Sequence, residues 1–178
     1  MAITLHANGT ITGNPIRMDA GSGSPGSIIQ VVSSQITGSS NIGTNSATPV
    51  ASGMITTITP KRAGSSFYTI CVGNSMHNNQ GANNHGLRVH LYCKVASGTY
   101  ANVTSDFVQS SHRSGGSWTD FPGSMAFNCT PTYALGDAVY FQPYYARGGS
   151  TSNTMYWHHT GGSGSGAIIQ QTVMEIGG

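Results

Sequence analysis

The sequence predicts an all-β fold, an antiparallel β-sandwich or jelly roll. Apolar and β-branched residues recur with a period of two, as in residues 53–73, GMITTITPKRAGSSFYTICVG. There Ile55, Thr57 and Thr59 alternate with Met54, Thr56 and Ile58. After a polar break, Tyr68, Ile70 and Val72 alternate with Phe67, Thr69 and Cys71. Gly, Pro, Ser and Asn clusters cut such runs at roughly even spacing, and no stretch carries the 3.6-residue period of an amphipathic helix.

Taken in order, residues 1–13 (MAITLHANGTITG) predict a hairpin around Asn8-Gly9, a favoured two-residue turn. Pro15, Pro25 and the intervening glycines mark residues 14–27 as a linker. This divides the chain into an arm with its linker, 1–27, and a sandwich domain, 28–178. Residues 28–36 (IIQVVSSQI) are the first domain strand, 37–52 a loop, and 53–73 the two strands above. The Asn-rich residues 74–85 are expected to form a long loop, a place where binding residues concentrate.

Residues 86–94 (GLRVHLYCK) alternate most cleanly, with Leu87, Val89, Leu91 and Cys93 on one face and Arg88, His90, Tyr92 and Lys94 on the other. One strand is expected in 99–109, a loop at 110–117, and strands at 124–129, 138–146, 153–158 and 167–176. Pro143 places a break or an edge position in the second of these. About eight or nine strands with no helix fit one sandwich or jelly roll.

The stretch SGMITTITPKRAGSSFYTI, with its strand–Ile-Thr-Pro–strand pattern, resembles small virion proteins of tailed bacteriophages, of the type found in marine and cyanobacterial phages. Leu135-Gly136-Asp137 before a strand and a terminal strand ending in Glu175-Ile176 are similar to the same family, and MAI…GTITG resembles the start of many phage fibre and virion proteins. The resemblance implies a jelly-roll-like domain that trimerises. It also implies an N-terminal arm (Ile3, Leu5, Ile11) that docks on another virion protein.

Composition limits the function classes. Leu, Ile, Val and Phe make up 32 of 178 residues, just under the ~20% at which disorder becomes a serious reading, yet the formal charge is only +2. Tyr, Trp and Met add apolar surface, so the reading is a folded domain with a thin core that buries further surface between subunits. With 7% charged residues and no basic cluster beyond Lys61-Arg62, no specific nucleic-acid partner is expected. No apolar run suits a bilayer span and no basic-then-apolar leader is present, so a soluble, non-exported chain without membrane insertion is expected.

Chemistry is sparse. The acids are Asp19, Asp106, Asp120, Asp137 and Glu175. A glycosidase needs two facing one bond, and only Asp106 and Asp120 could meet across a loop. Asp137 is read as a turn residue. No G-x-S-x-G elbow, H-E-x-x-H or C-x-x-C occurs, and adjacent His158 and His159 point to opposite faces of a strand. Neither a catalytic centre, a metal nor a cofactor is expected, although a threefold axis could gather His90 or His158 around an ion. Cys71, Cys93 and Cys129 are read as free thiols because their number is odd and no export signal is seen, with a Cys71–Cys93 disulfide as the alternative.

The resulting expectation is a non-enzymatic virion protein on the particle exterior, a homotrimer serving as a tail-fibre or fibre-tip element for host attachment. The alternative is a capsid decoration protein, and a polysaccharide depolymerase is less favoured. Host-surface polysaccharide or protein would be touched by loop residues Met76, His77, Asn78, Asn79, Asn83, Asn84, His85, His112 and Trp118. Subunits would meet through His90, Tyr92, Tyr140, Tyr144, Tyr156 and His158, a group of aromatic and polar side chains that suits an interface better than sugar stacking.

Overall fold

A computed structural model describes residues 4–5, 11–12, 25–38, 42–78, 85–104, 107–111, 119–148, 155–158 and 167–178. Among the described residues every regular element is a strand. In chain order these are β1 (Thr4–Leu5), β2 (Ile11–Thr12), β3 (Ile28–Gly38), β4 (Ile42–Thr44), β5 (Val50–Ala51), β6 (Thr56–Ile58) and β7 (Ser66–Asn78). They continue with β8 (His85–Val95), β9 (Ala101–Asn102), β10 (Phe107–Ser111), β11 (Thr119–Cys129), β12 (Val139–Gly148), β13 (Met155–His158) and β14 (Ala167–Ile176). All pairings are antiparallel.

The expected N-terminal hairpin is present as a separate two-stranded sheet pairing Leu5 with Ile11. A two-residue turn at Asn8-Gly9 in a regular ladder would pair Leu5 with Thr12, so the register differs by one residue; residues 6–10 lie outside the described residues.

The other strands form two sheets that share one core, and several are halves of one broken strand. β3 and β4 run end to end along β14 and β13, which in turn follow one another along β7. β5 and β6 both border β12, and β9 and β10 both border β8. Merging these halves leaves eight strands in the spatial orders 1-8-3-6 (β3/β4, β13/β14, β7, β11) and 2-7-4-5 (β5/β6, β12, β8, β9/β10). That is the two-Greek-key arrangement of a jelly roll.

Period-two patterning sets which side faces in. Met54, Thr56 and Ile58 are buried while residues 55, 57 and 59 are exposed, and Leu87, Val89, Leu91 and Cys93 are buried as their alternation predicts. Phe67 and Phe141, with ring centroids 5.3 Å apart, join the two sheets across the core.

Five expected element bounds are corrected. The 37–52 loop contains the end of β3 and all of β4 and β5, and the single strand over 99–109 is the interrupted edge β9/β10. The 74–85 loop is shorter, because Asn74–Asn78 continue β7 between β11 and β13, and His85 opens β8. Paired on both edges, these residues become strand despite weak β propensity. The loop expected at 110–117 likewise begins later, since Ser110 and Ser111 close β10 opposite Gly86 and His85. β11 begins at Thr119, earlier than the alternation suggests, because its ladder skips Pro122 in a bulge between Phe121 and Gly123.

Pro143 neither breaks β12 nor sits at a sheet edge. It lies opposite Leu91, whose N–H and C=O turn the other way, to Thr104 Oγ1 (2.9 Å) and Val103 N (3.0 Å). On its far side Pro143 accepts from Ser52 N at 3.0 Å, in the gap between β5 and β6. The missing N–H therefore costs no ladder bond with β8.

At one corner, Glu175 is fully buried. Its Oε1 accepts from Lys61 N, Arg62 N (both 3.0 Å) and Ser65 Oγ (2.9 Å), and its Oε2 from Lys61 N (3.0 Å) and Gln30 Nε2 (2.6 Å). Gln30 Nε2 also reaches Thr59 O, and Tyr133 bridges Arg62 O (2.6 Å) and Ser65 N (2.9 Å) through its hydroxyl. Tyr133 is held by the next turn, where Asp137 N bonds Ala134 O and Ala134 N bonds Asp137 Oδ2, with Gly136 at φ 96°. Asp137 is thus the turn residue its context predicts. Glu175→Ala should lower the unfolding free energy by about 3 kcal/mol or more, since it removes the acceptor of one buried and several part-buried donors at once. Glu175→Gln should do so less. Urea unfolding at fixed protein concentration checks both, and a loss under about 1 kcal/mol for the alanine variant would contradict the role assigned to the carboxylate.

Candidate functional site

The outer face of the β8/β12 pair gathers four of the expected interface residues. Outward positions alternate with the core set, so Lys94 lies opposite Tyr140, Tyr92 opposite Gln142, and His90 opposite Tyr144. Tyr92 and Tyr144 stack diagonally at 3.9 Å with planes 23° apart, and Tyr100 leans on Tyr144 at 6.2 Å. Lys94 Nζ sits 5.1 Å from the Tyr100 ring centroid and 4.6 Å from that of Tyr140. Each such cation–π contact contributes about 0.5–1 kcal/mol at an exposed site. Beneath these rings His90 and Gln142 are buried, and His90 Nδ1 lies 3.4 Å from Asn102 Nδ2. Burial raises the Tyr100 hydroxyl above its ordinary range, with Tyr144, Tyr140 and Cys93 adding to the effect.

Tyr100, Asn102 and Gln142 were not legible as members of this face. Tyr100 reaches it from the short segment after β8, and nothing in the local pattern marks that return.

The expected receptor residues are divided. Met76, His77 and Asn78 lie on β7 and His85 on β8, whereas Asn79, Asn83, Asn84, His112 and Trp118 lie outside the described residues. The register sets His77 between Asp120 of β11 and Tyr156 of β13, and Ser75 opposite His158. Tyr156 and His158 therefore belong to the other sheet, apart from His90, Tyr92, Tyr140 and Tyr144. Ile3 also lies outside the described residues, while Leu5 and Ile11 face each other across the hairpin.

Of the described acids, Asp137 closes a turn, Glu175 is enclosed by donors, and Asp120 stands in β11. Asp106 lies outside the described residues, so the pairing with Asp120 has no geometry to support it. Among the described residues no group of three or more His, Cys, Asp or Glu is placed to hold a metal ion. Among the described residues no helix is long and apolar enough to cross a membrane.

All three cysteines are free thiols. Burial pushes Cys71 and Cys129 up to about 12 and Cys93 up to about 11, with Cys93 adding to the effect on Cys129. Thiols held protonated in this way make poor nucleophiles and poor metal ligands.

Against known proteins, the chain matches no family model, and no curated protein matches it.

Two outcomes follow for the thiols. At pH 8 the native protein should label slowly with a maleimide and take up three labels once unfolded. Above pH 9 the unfolded chain loses thiol protons that the folded chain keeps, so stability should fall as pH rises from about 9 toward 11–12. Unfolding curves measured across that range check the sign. A flat profile would contradict it.

Proposed function

We propose that this chain is a non-enzymatic structural protein of a tailed-phage virion. In this reading it is a homotrimer on the particle exterior, serving in a tail fibre or fibre tip that attaches to the host. The observation that carries the reading is the convergence of three motifs on one corner of a jelly roll. Pro60 of Ile-Thr-Pro leads into the Lys61–Arg62 amides, which the carboxylate of the terminal Glu-Ile strand holds. The Leu-Gly-Asp turn positions Tyr133, which ties the same loop from the other side. Motifs scattered over the sequence thus serve one structural purpose, which supports treating the resemblance as one of architecture.

A fibre role suits the Asn-rich composition around residues 74–85. Amides offer both donors and acceptors, so weak polar contacts with a surface polysaccharide or protein become useful when several copies act together. The N-terminal hairpin and its linker suit docking on a neighbouring virion protein.

Replacing Asn79, Asn83 and Asn84 with Ala should reduce phage adsorption to host cells and leave particle stability unchanged. Intact adsorption with heat-fragile particles would favour capsid decoration instead. A chain starting at residue 25 keeps the Gly26 and Ser27 bonds to Gly177. It should fold and trimerise yet fail to join particles, and normal incorporation would rule out the docking arm.

A further inference from the structure

We propose that the outer face of the β3–β14–β7–β11 sheet is turned toward the symmetry axis and covered by further copies of this chain. The inference rests on the oligomeric reading above and names the surface that serves it.

The two central strands of this sheet carry apolar residues on both sides. In β7 the inward set is Phe67, Thr69 and Cys71, and the outward set is Tyr68, Ile70 and Val72. In β14 the inward positions include Gln171 and Glu175, while Ile168 and Met174 face out. A strand with one wet face alternates apolar-in and polar-out, as β8 does; a strand covered on both faces does not. Here the sandwich itself covers only one face. Val31 is 53% exposed, Val72 and Ile168 are each 44% exposed, and Tyr68 is 38% exposed. On the opposite outer face Tyr92, Tyr144, Tyr100 and Lys94 pack on one another and His90 and Gln142 are buried, so its exposed Val50 and Ile55 are confined to the β5/β6 edge.

The occupant follows from charge. Over residues 31–37, 68–72, 124–128 and 168–174 none of the outward side chains of this sheet is charged. A partner surface bearing ions would have to desolvate them here without a counter-ion. Another copy of the same face brings none. The paired Gln35 and Gln170, and Asn128 beyond them, each hold a donor and an acceptor, so the same groups on a second copy can satisfy them.

Size and symmetry agree with this. Four strands ~4.8 Å apart, 10 to 13 residues long at ~3.3 Å per residue, give a flat area on the order of 700 Å². A standard interface buries about 800 Å² per partner, and a surface roughened by side chains exceeds its footprint. The two outer faces of a sandwich point in opposite directions, so matching one to the other of the next copy would build an open stack. Turning the same face of each copy to a common axis closes the assembly.

The test uses the full chain with Val72→Lys, Ile168→Lys, and Thr57→Lys on the outer side of the other sheet. Light scattering should find wild type and Thr57→Lys trimeric, and Val72→Lys and Ile168→Lys at one third of that mass with β-rich circular dichroism retained. The conservative Val72→Cys guards against misfolding. Its new thiol should react with a maleimide at least tenfold more slowly in the assembly than after dilution to subunits. Trimers persisting in both lysine variants, or a Val72→Cys thiol labelling equally fast in both states, would overturn the assignment and leave the trimer reading standing. A wild-type monomer at micromolar concentration would overturn both.

Discussion

The rest of the fold depends on the Glu175 carboxylate. A buried carboxylate is costly unless hydrogen bonds replace its water. In a chain with few charges those bonds come from backbone amides, a serine and a glutamine. To supply them, the chain must turn between Thr59 and Ser65, which is where it crosses from one sheet to the other. The same group fixes the last strand against Gln30 on the first. One anion therefore joins the beginning, the end and an early crossover of the sandwich. Tyr133 extends the corner into the core through its edge-on contact with Phe67.

Much of this was legible where local pattern and burial agree. β14 ends where its alternation ends, and the inward faces of residues 54–60 and 87–93 follow directly from period two. Legibility failed where long-range partners decide. Asn74–Asn78 read as loop because Asn and Ser favour turns, but strands on both sides zip them into β7. Pro143 read as a break because the sequence does not show that its partner strands part at Ser52. Glu175 read as a residue of a closing strand because its donors come from more than a hundred positions away.

The candidate site was legible in part, for a related reason. His90, Tyr92, Tyr140 and Tyr144 were grouped by residue type, and the antiparallel register of β8 with β12 does place them together. Their relation to Tyr100 and Lys94 is tertiary. So is the difference between the two outer faces, one with packed aromatic and cationic side chains over its centre and exposed Val50 and Ile55 only at its edge, the other with exposed Val and Ile along its central strands. Residue type drew attention to the tyrosines. Exposure and charge direct it to the opposite sheet.

What is proposed is that this jelly roll completes its burial by assembling on the outside of a phage particle. Imaging of the intact particle at residue resolution tests this most directly. The account predicts three copies about a threefold axis on the exterior, with Tyr68, Val72 and Ile168 facing that axis and residues 1–24 against a different virion protein. Single copies with this face open to solvent, or particles lacking the chain altogether, would contradict it.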